Sequence, residues 1–338
     1  MDNTNIWYDY APVLSYGKAM FIYIIGERGV GKTYGAKKWC INKFIKKNEQ
    51  FIYLRRYKTE LKESAGDTDK FFKALYPEFP DHKFKISGNK ILCDDKTMGY
   101  TLALSTSNIL KSTSFDGVTT IIYDEFIIDK GCYHYLQNEV EQLLDMVETV
   151  ARLRNIRVIF LGNAISITNP YFTYFNLSLP YGSDIKTFKD GLILVNYIKN
   201  EKYRKVKHES NFGKLIAGTN YSNYAIDNEF LRDSKSFIGK KTADSKHFFC
   251  LKYKNRWFGF WLDHKTSYMY VSNDYDPSCT TKFTVDTDDH NEQTILLALR
   301  TSGYFKAVIS HFRMGMLYFE NQQIKGLIMQ IINNHLTY

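Results

Sequence analysis

The sequence predicts an α/β protein with a mainly parallel sheet in its N-terminal part and a smaller α+β domain behind it. Up to about residue 198, short apolar runs alternate with stretches of helical periodicity, which is typical of parallel strands joined by helices. Farther along, three strand-like segments follow one another closely and precede two helical patterns. We therefore expect a first domain at residues 1–198, a basic linker at 199–220 and a C-terminal domain at 221–338.

Each element is predicted from a local pattern. In the first part, strands are expected at Phe21–Ile25, Phe51–Leu54, Val118–Tyr123 and Arg157–Leu161, with shorter strands within Lys83–Leu104, and helices are expected up to Lys47 and over Asn138–Arg154. In the last part, an antiparallel meander is expected at His247–Tyr253, Trp257–Leu262 and Ser267–Ser272, and helices at about Glu292–Phe312 and Asn321–Asn334.

The composition is that of an ordinary globular protein, since 44% of the 338 residues are hydrophobic and 24% are charged. This balance excludes a disordered or fibrous chain. The 45 Lys and Arg residues exceed the 36 Asp and Glu residues, and the net charge of +9 suits a polyanionic partner. The first residues lack the basic and apolar regions of a signal peptide, and no apolar run approaches about 18 residues, so we expect no membrane anchor.

The five cysteines are scattered along the chain and form no C-x-x-C pair; they are Cys40, Cys93, Cys132, Cys250 and Cys279. This spacing indicates neither a zinc site nor a disulfide framework. We expect buried, reduced thiols in a cytosolic protein.

The segment Gly26–Thr33, GERGVGKT, matches the P-loop pattern G-x-x-x-x-G-K-[ST] at every fixed position. It follows a predicted strand and opens a predicted helix, which is the context that a P-loop requires. Backbone N–H groups of such a loop surround phosphate oxygens, and the helix N-terminus adds partial positive charge. Lys32 is expected on the β- and γ-phosphates and the Thr33 hydroxyl on Mg²⁺. The nucleotide-binding residues are therefore predicted to be Gly26, Glu27, Arg28, Gly29, Val30, Gly31, Lys32, Thr33 and Tyr34.

Asp124 and Glu125 end a predicted buried strand and have the form of a Walker B site. The aspartate would hold the metal through water, and the glutamate would polarise the water that attacks the γ-phosphate. An acidic pair at a strand end also serves as a turn cap, but next to a P-loop the catalytic interpretation is favoured. Asn163 ends the neighbouring strand and would sense the γ-phosphate or position water, with a simple Asx turn as the alternative.

Several cations are candidates for roles beyond the P-loop. Arg152, Arg154 and Arg157 lie at or beyond the end of a predicted helix, where cations favour the helix dipole. An arginine finger directed into a neighbouring subunit is the alternative. Lys111 lies in a polar segment before the Walker B strand and is a second candidate for such a role, with an ordinary surface lysine as the alternative.

Arg55, Arg56 and Lys58 cluster at a strand end and are predicted to contact a nucleic-acid backbone, with a solvated turn as the alternative. Lys130 is a further candidate on the same logic. In the C-terminal part, three acids are either a metal cluster or, as we expect, N-cap acids of the following helix; they are Asp286, Asp288 and Asp289.

Taken together, GERGVGKT, the FIYLRRYK strand end, IIYDEF, LGNA and the C-terminal meander resemble the DNA-packaging ATPases of φ29-like short-tailed phages, over most of the chain. The resemblance implies an ASCE-type ATPase domain joined to a vestigial RNase H-like domain. Arg152, in the segment VARLR, matches the trans-acting arginine of that family, and Lys111 its accompanying lysine. The VARLRNIRV segment is one residue shorter than its counterpart, so Arg154 remains the alternative.

The resemblance further implies a motor that uses ATP and Mg²⁺ to translocate double-stranded DNA into a procapsid. The expected assembly is a homopentameric ring that contacts a structural RNA of the prohead and the portal, in the host cytoplasm and transiently on the procapsid. An RNase H-type nuclease needs a carboxylate in its first strand, and HFFCLKY has none, so we expect no nuclease activity.

Three other functions remain open at this point. The first is another P-loop DNA pump, of the FtsK or large-terminase kind. The second is a phage nucleoside or nucleotide kinase. The third makes the C-terminal domain the main functional unit, as an RNA-binding adaptor on the procapsid.

Overall fold

The computed structural model describes residues 6–107, 114–128, 134–163, 169–180, 183–219, 237–297 and 302–336. The chain divides into two units, Met1–Arg232 and Asp233–Tyr338. The strands of the first unit are β1 Phe21–Gly26, β2 Gln50–Arg55, β3 Phe84–Ser87, β4 Lys90–Cys93, β5 Lys96–Ala103, β6 Val118–Asp124, β7 Arg157–Asn163, β8 Ile185–Phe188 and β9 Ile193–Tyr197. Its helices are α1 Ala11–Leu14, α2 Lys32–Lys47, α3 Lys58–Ala65, α4 Thr68–Phe72, α5 Glu139–Ala151, α6 Pro170–Tyr174, α7 Glu201–Glu209 and α8 Asn211–Ile216, with 3₁₀ turns at Tyr76–Glu78 and Lys189–Gly191.

The described strands of the first unit form one sheet in the order β3-β4-β5-β2-β6-β7-β1-β9-β8. Neighbouring strands run parallel from β5 across to β9, and the outer strands β3, β4 and β8 pair antiparallel. The carboxyl ends of the parallel strands consequently meet at one edge. The register places Gly26 opposite Asn163 and Asp124 opposite Leu161 at that edge, as the predicted fold class requires.

The central strands are buried on both faces, which explains why they read as continuous apolar runs. In β1, Phe21 and Tyr23 belong to the core on one face of the sheet, whereas Ile22 and Ile24 belong to the core on the other. Aromatic rings fill much of the first core. Tyr23 stacks on Phe160 with 4.1 Å between ring centroids.

A buried ion pair ties α5 to the sheet. Arg56 donates from Nε to Glu139 Oε2 at 2.7 Å and from Nη2 to Oε1 at 3.1 Å, and both side chains are at most 1% exposed. Glu139 also accepts hydrogen bonds from the Tyr123 and Tyr171 hydroxyls. The carboxylate is thus fully enclosed by donors, which compensates for the cost of burying its charge.

The predicted linker at 199–220 is corrected by the structure. Most of it is helical, as α7 and α8, and it belongs to the first unit. Most of the basic residues that suggested a linker lie on α7, where Arg204 pairs with the buried Glu27 at 2.7 Å. A charge-rich helix has little apolar signal, so its packing was not visible in the pattern.

The second unit has its own sheet and core. Its elements are β10 Lys246–Tyr253, β11 Arg256–Asp263, β12 Tyr268–Ser272, β13 Lys282–Thr284, β14 Ile295–Leu296, α9 Gly303–Arg313, β15 Leu317–Phe319 and α10 Gln322–Leu336. The strand order is β14-β13-β10-β11-β12-β15. The first three strands form the predicted antiparallel meander, and β13 and β14 then add in parallel beside β10.

Two predictions for this unit were wrong. The helix expected from about residue 292 starts at Gly303, capped by Ser302, and Ile295–Leu296 is a short strand. The acids at 286–289 therefore cap a turn and not a helix. Asp286 accepts from the Asp289 N–H, and Asp289 accepts from the Asn255 N–H, both through Oδ1. Among the described helices of both units, none is long and apolar enough to cross a bilayer.

Replacing Arg56 by Met leaves the Glu139 carboxylate buried without its ion-pair partner. We expect a loss of about 3–5 kcal/mol in the free energy of unfolding of the first unit. Urea titration monitored by circular dichroism and amide hydrogen exchange measures it. The control is Lys62→Met on the exposed side of α3, which should change stability by less than about 0.5 kcal/mol. Equal effects of the two substitutions would contradict the assigned role of the pair.

Candidate active site

A cleft of about 250 Å³ opens at the carboxyl edge of the first sheet. It lies between β1, β6 and β7, where ligands bind in open parallel sheets. Its lining includes most of the residues predicted from the sequence, namely Arg28, Gly29, Gly31, Lys32, Thr33, Tyr34, Asp124, Glu125 and Asn163. The fold thus brings together distant side chains such as Lys32 and Asn163, which are 131 positions apart in the chain.

The loop after β1 has the backbone that phosphate binding requires. Gly29 and Gly31 have φ angles of 87° and 96°, in the left-handed region that favours glycine. Gly31 is the N-cap of α2, so the first N–H groups of that helix face the cleft. An anion in the cleft would be held by these donors and by the positive end of the helix.

Lys32 bridges the loop and the neighbouring strand. Its Nζ donates to the carbonyls of Gly26 at 3.0 Å and Glu27 at 2.7 Å, and to Asn163 Oδ1 at 3.1 Å. Burial lowers the pKa of Lys32 to about 8, although nearby carboxylates oppose the shift. Asn163 therefore faces the cleft as a partner of the P-loop lysine.

Thr33 and Asp124 supply oxygen atoms at the mouth of the cleft. The Thr33 hydroxyl donates to Asp124 Oδ1 at 3.0 Å, and the Tyr53 hydroxyl donates to Oδ2 at 2.8 Å. A hydroxyl and a carboxylate are hard oxygen donors of the kind that Mg²⁺ prefers, and they stand beside the phosphate-binding loop. The donor set fits a Mg²⁺–nucleotide complex.

Glu125 follows Asp124 in a strained conformation, with a φ of 58° and a side chain that is 60% exposed. Arg55, at the end of β2, donates from Nη2 to Glu125 Oε2 at 2.6 Å. The Arg55 guanidinium also lies 3.8 Å from Asp124 Oδ2. A cation on the neighbouring strand therefore fixes the orientation of the carboxylate that was predicted to activate water.

The prediction that Arg55 and Arg56 contact DNA is corrected by this geometry. Arg55 is 7% and Arg56 1% exposed, and each is paired with an acid, so neither can reach a phosphate backbone. A charge run usually marks a solvated turn, but here both arginines are buried and each pairs with a carboxylate far along the chain. Lys58 is exposed at the start of α3. Lys111 and Lys130 lie outside the described residues.

Arg152 and Arg154 have different environments. Arg154 donates to four carbonyls, those of Phe115, Asp116, Val118 and Val150, which makes it an internal anchor for the end of α5. Arg152 is exposed, and within the described residues its side chain has no hydrogen-bond or ion-pair partner. Leu153 beside it is also fully exposed.

Arg152 also lies far from the cleft of its own chain. Arg152 and Arg157 line one cavity, and Arg157 starts the seven-residue strand β7, whereas Asn163 ends that strand. At about 3.3 Å per residue, the two ends of β7 are roughly 20 Å apart. Arg152 therefore cannot complete the site of its own subunit.

Helix α7 supports the P-loop from outside, which the sequence analysis missed. The Tyr203 hydroxyl and Lys207 Nζ both donate to the Arg28 carbonyl, at 3.0 and 2.9 Å. Arg204 binds Glu27, whose side chain is buried beneath the loop. A side chain at Gly29 would start 2.7 Å from the Tyr203 hydroxyl oxygen. No short motif encodes these contacts, since their partners are about 175 residues apart.

A family model, protein sequences and solved structures that resemble this chain all belong to phage DNA packaging. The family model described as "Podovirus DNA encapsidation protein (Gp16)" matches residues 1–336. The DNA packaging protein of Bacillus phage phi29 is 36% identical over 329 residues, which is 97% of either chain. A chain in the structure of the bacteriophage phi29 genome packaging motor assembly superposes with a TM-score of 0.79 at 35% identity, covering 97% of this chain and 99% of that one. The N-terminal domain of the phi29 packaging ATPase gives a TM-score of 0.53 at 38% identity, covering 58% and 98%.

The low pKa of Lys32 predicts that ATP affinity depends on pH. Phosphate charges raise the pKa of the bound lysine, so binding takes up a proton at pH values above about 8. We expect the Kd for ATP to be flat just below pH 8 and to rise by up to about tenfold per pH unit above it. Calorimetry in buffers of different ionisation enthalpy measures the uptake. Lys32→Met should bind weakly and lose this uptake, and proton uptake that persists in the variant would exclude Lys32 as its source.

Proposed function

The chain belongs to the podovirus DNA encapsidation protein family, and we propose that it is the ATP-hydrolysing subunit of a ring motor that drives double-stranded viral DNA into a preformed procapsid. Viral DNA packaging and nucleotide use follow from the family.

One observation supports the hydrolytic part above all others. A single cleft at the carboxyl edge of the sheet brings together the groups that hydrolysis needs. They are the P-loop lysine Lys32, the Walker B carboxylates Asp124 and Glu125, Asn163 and the buried Arg55. In this arrangement Glu125 acts as the general base toward water, and Arg55 sets the direction of its carboxylate. Lys32 and Asn163 contact the terminal phosphate.

Mg²⁺ would be held by the Thr33 hydroxyl and, through water, by Asp124. When bound, it would neutralise charge on the β- and γ-phosphate oxygens. Tyr53 restricts the rotation of Asp124 by its hydrogen bond, so the carboxylate stays directed at the Thr33 hydroxyl.

We propose Arg152 as the residue that completes the site of a neighbouring subunit. Its exposure, its distance from the cleft of its own chain and the adjacent exposed Leu153 all suit a position at a subunit interface. The internal hydrogen bonds of Arg154 argue against the alternative assignment. Lys111 stays a prediction for the same interface. A ring is the assembly in which each subunit donates its arginine forward, and we propose a pentamer.

The proposed partners are double-stranded DNA, a structural RNA of the prohead and the portal, with the motor assembled on the procapsid in the host cytoplasm. The net charge of +9 suits the two nucleic acids. Of the predicted DNA contacts, we keep Lys58 because its side chain is exposed, and Lys130 stays a prediction. We further propose that the second unit has no nuclease activity, because its central strand β10, KHFFCLKY, carries no carboxylate.

Subunit mixing tests the trans arrangement. Glu125→Gln should lower turnover by about 10²–10⁴-fold while ATP still binds, since only the base is lost. Arg152→Ala should lower it by about 10³–10⁵-fold. In mixed rings, an arginine-bearing Glu125→Gln subunit serves a base-bearing Arg152→Ala subunit. We therefore expect the mixture to recover ATPase activity above that of either variant alone.

Ring assembly of the mixture is verified by native mass spectrometry. Arg154→Ala is the matched control, expected to lower thermal stability while folded rings keep their turnover. A fully assembled mixture that stays as inactive as its components would place Arg152 outside the neighbour's site.

The DNA contact of Lys58 is tested by its salt dependence. Lys58→Ala should weaken DNA binding alike for all sequences and reduce the slope of log K against log salt by roughly one. The control is Lys47→Ala, an exposed lysine at the opposite end of α2 from the cleft, for which no change in slope is expected. An unchanged slope for Lys58→Ala would make it an ordinary surface lysine.

A further inference from the structure

Three metal-ligand side chains meet in the second unit, away from the ATPase cleft. They are His247, Cys250 and Cys279, and their ligand atoms all lie within 4.8 Å of one another. His247 Nε2 is 3.4 Å from Cys250 Sγ. The sequence analysis expected separate buried thiols and no metal site, because the cysteines lack the C-x-x-C spacing. The fold nevertheless assembles a possible ligand set that no short motif encodes.

A β-bulge brings the first two ligands onto one face. His247 and Cys250 are three residues apart on β10, and in a regular strand they would point to opposite faces. The register shifts between them, since His247 pairs with Trp261 whereas Phe249 pairs with Phe260. Phe248 is thus an extra residue, and it turns His247 to the face of Cys250.

The third ligand arrives on the segment 273–281, which links β12 to β13 and crosses this face of the sheet. Gly259, which pairs with Cys250, allows the close approach, since a Cβ there would lie 2.3 Å from the Asp274 carbonyl oxygen. The Cys250 thiol donates to the Asp276 carbonyl at 3.5 Å, and the Cys279 thiol donates to the Thr281 carbonyl at 3.4 Å. Cys250 is buried, and the other two ligands are half-buried, so an ion can enter from solvent.

We propose that His247, Cys250 and Cys279 bind Zn²⁺, with water in the fourth position. A set of one imidazole nitrogen and two thiolate sulfurs binds Zn²⁺ in preference to Mg²⁺ or Ca²⁺. With Zn–S bonds of about 2.3 Å and Zn–N bonds of about 2.0 Å, neighbouring ligand atoms of a tetrahedral site are about 3.5–3.8 Å apart. The observed 3.4 Å contact needs little adjustment to reach that geometry.

The ion would act as a cross-link within the second unit. It would fasten the segment 273–281 to the centre of the sheet, where the core lies on the opposite face through Phe249 and Leu251. Folding and metal binding are then linked, so Zn²⁺ should stabilise this unit in proportion to its affinity.

The test uses the reduced full-length chain without a polyhistidine tag, stripped with a chelator and titrated with Zn²⁺ in excess Mg²⁺. We expect one equivalent of Zn²⁺ per chain and a raised melting temperature. Co²⁺ should give the thiolate-to-cobalt charge-transfer absorbance of a cysteine-ligated ion. Cys279→Ser and His247→Ala should each weaken Zn²⁺ binding by more than the roughly 10–100-fold that loss of an outer-shell contact costs.

The matched control is Cys93→Ser, which alters the other described group of three such ligands, His82, Cys93 and Asp94. In that group His82 Nδ1 is already held by Asp94 at 2.7 Å, so we expect no change in zinc stoichiometry. Zinc binding that Cys279→Ser and His247→Ala leave intact would overturn the proposal. The absence of stoichiometric Zn²⁺ binding at micromolar concentrations would also overturn it. A chain that forms only a Cys250–Cys279 disulfide, detected as the loss of two hydrogens in the mass, would do the same.

Discussion

Two consecutive arginines, the last residue of β2 and the one after it, hold the turn that follows β6. Arg55 pairs with Glu125, whereas Arg56 pairs with Glu139 and donates to the carbonyls of Glu125 and Phe126. Side chains of adjacent residues leave a strand end in opposite directions, so one arginine serves the cleft and the other serves the core. The turn after β6 carries a strained glutamate, and it keeps that conformation because both arginines hold it.

Much of the site could be predicted from the sequence because its chemistry is local. The P-loop, the Asp124–Glu125 pair and Asn163 each stand at the end of an apolar strand, and parallel strands bring their ends together. Arg55 and Arg56 were misassigned for the opposite reason. Their partners lie about 70 and 83 positions away, and a run of charges carries no local sign that it is buried.

The same limit applies to helix α7 and to the cysteine cluster. The sequence of a basic helix without an apolar stripe resembles that of a linker, and only the structure shows its contacts with the P-loop. Cys250 and Cys279 are 29 positions apart, and only a bulge and a crossing segment bring them to His247. A short motif can identify only residues that are close together in the sequence. The contacts of α7 and the cysteine cluster join residues that are far apart in the sequence, so no motif reveals them.

The contacts between α7 and the P-loop carry a mechanical consequence. Tyr203, Arg204 and Lys207 hold the outer side of the loop whose inner side faces the nucleotide. The loop backbone thus lies between the nucleotide-binding cleft on one side and α7 on the other. A change in the loop backbone would have to break these hydrogen bonds or move α7 with the loop.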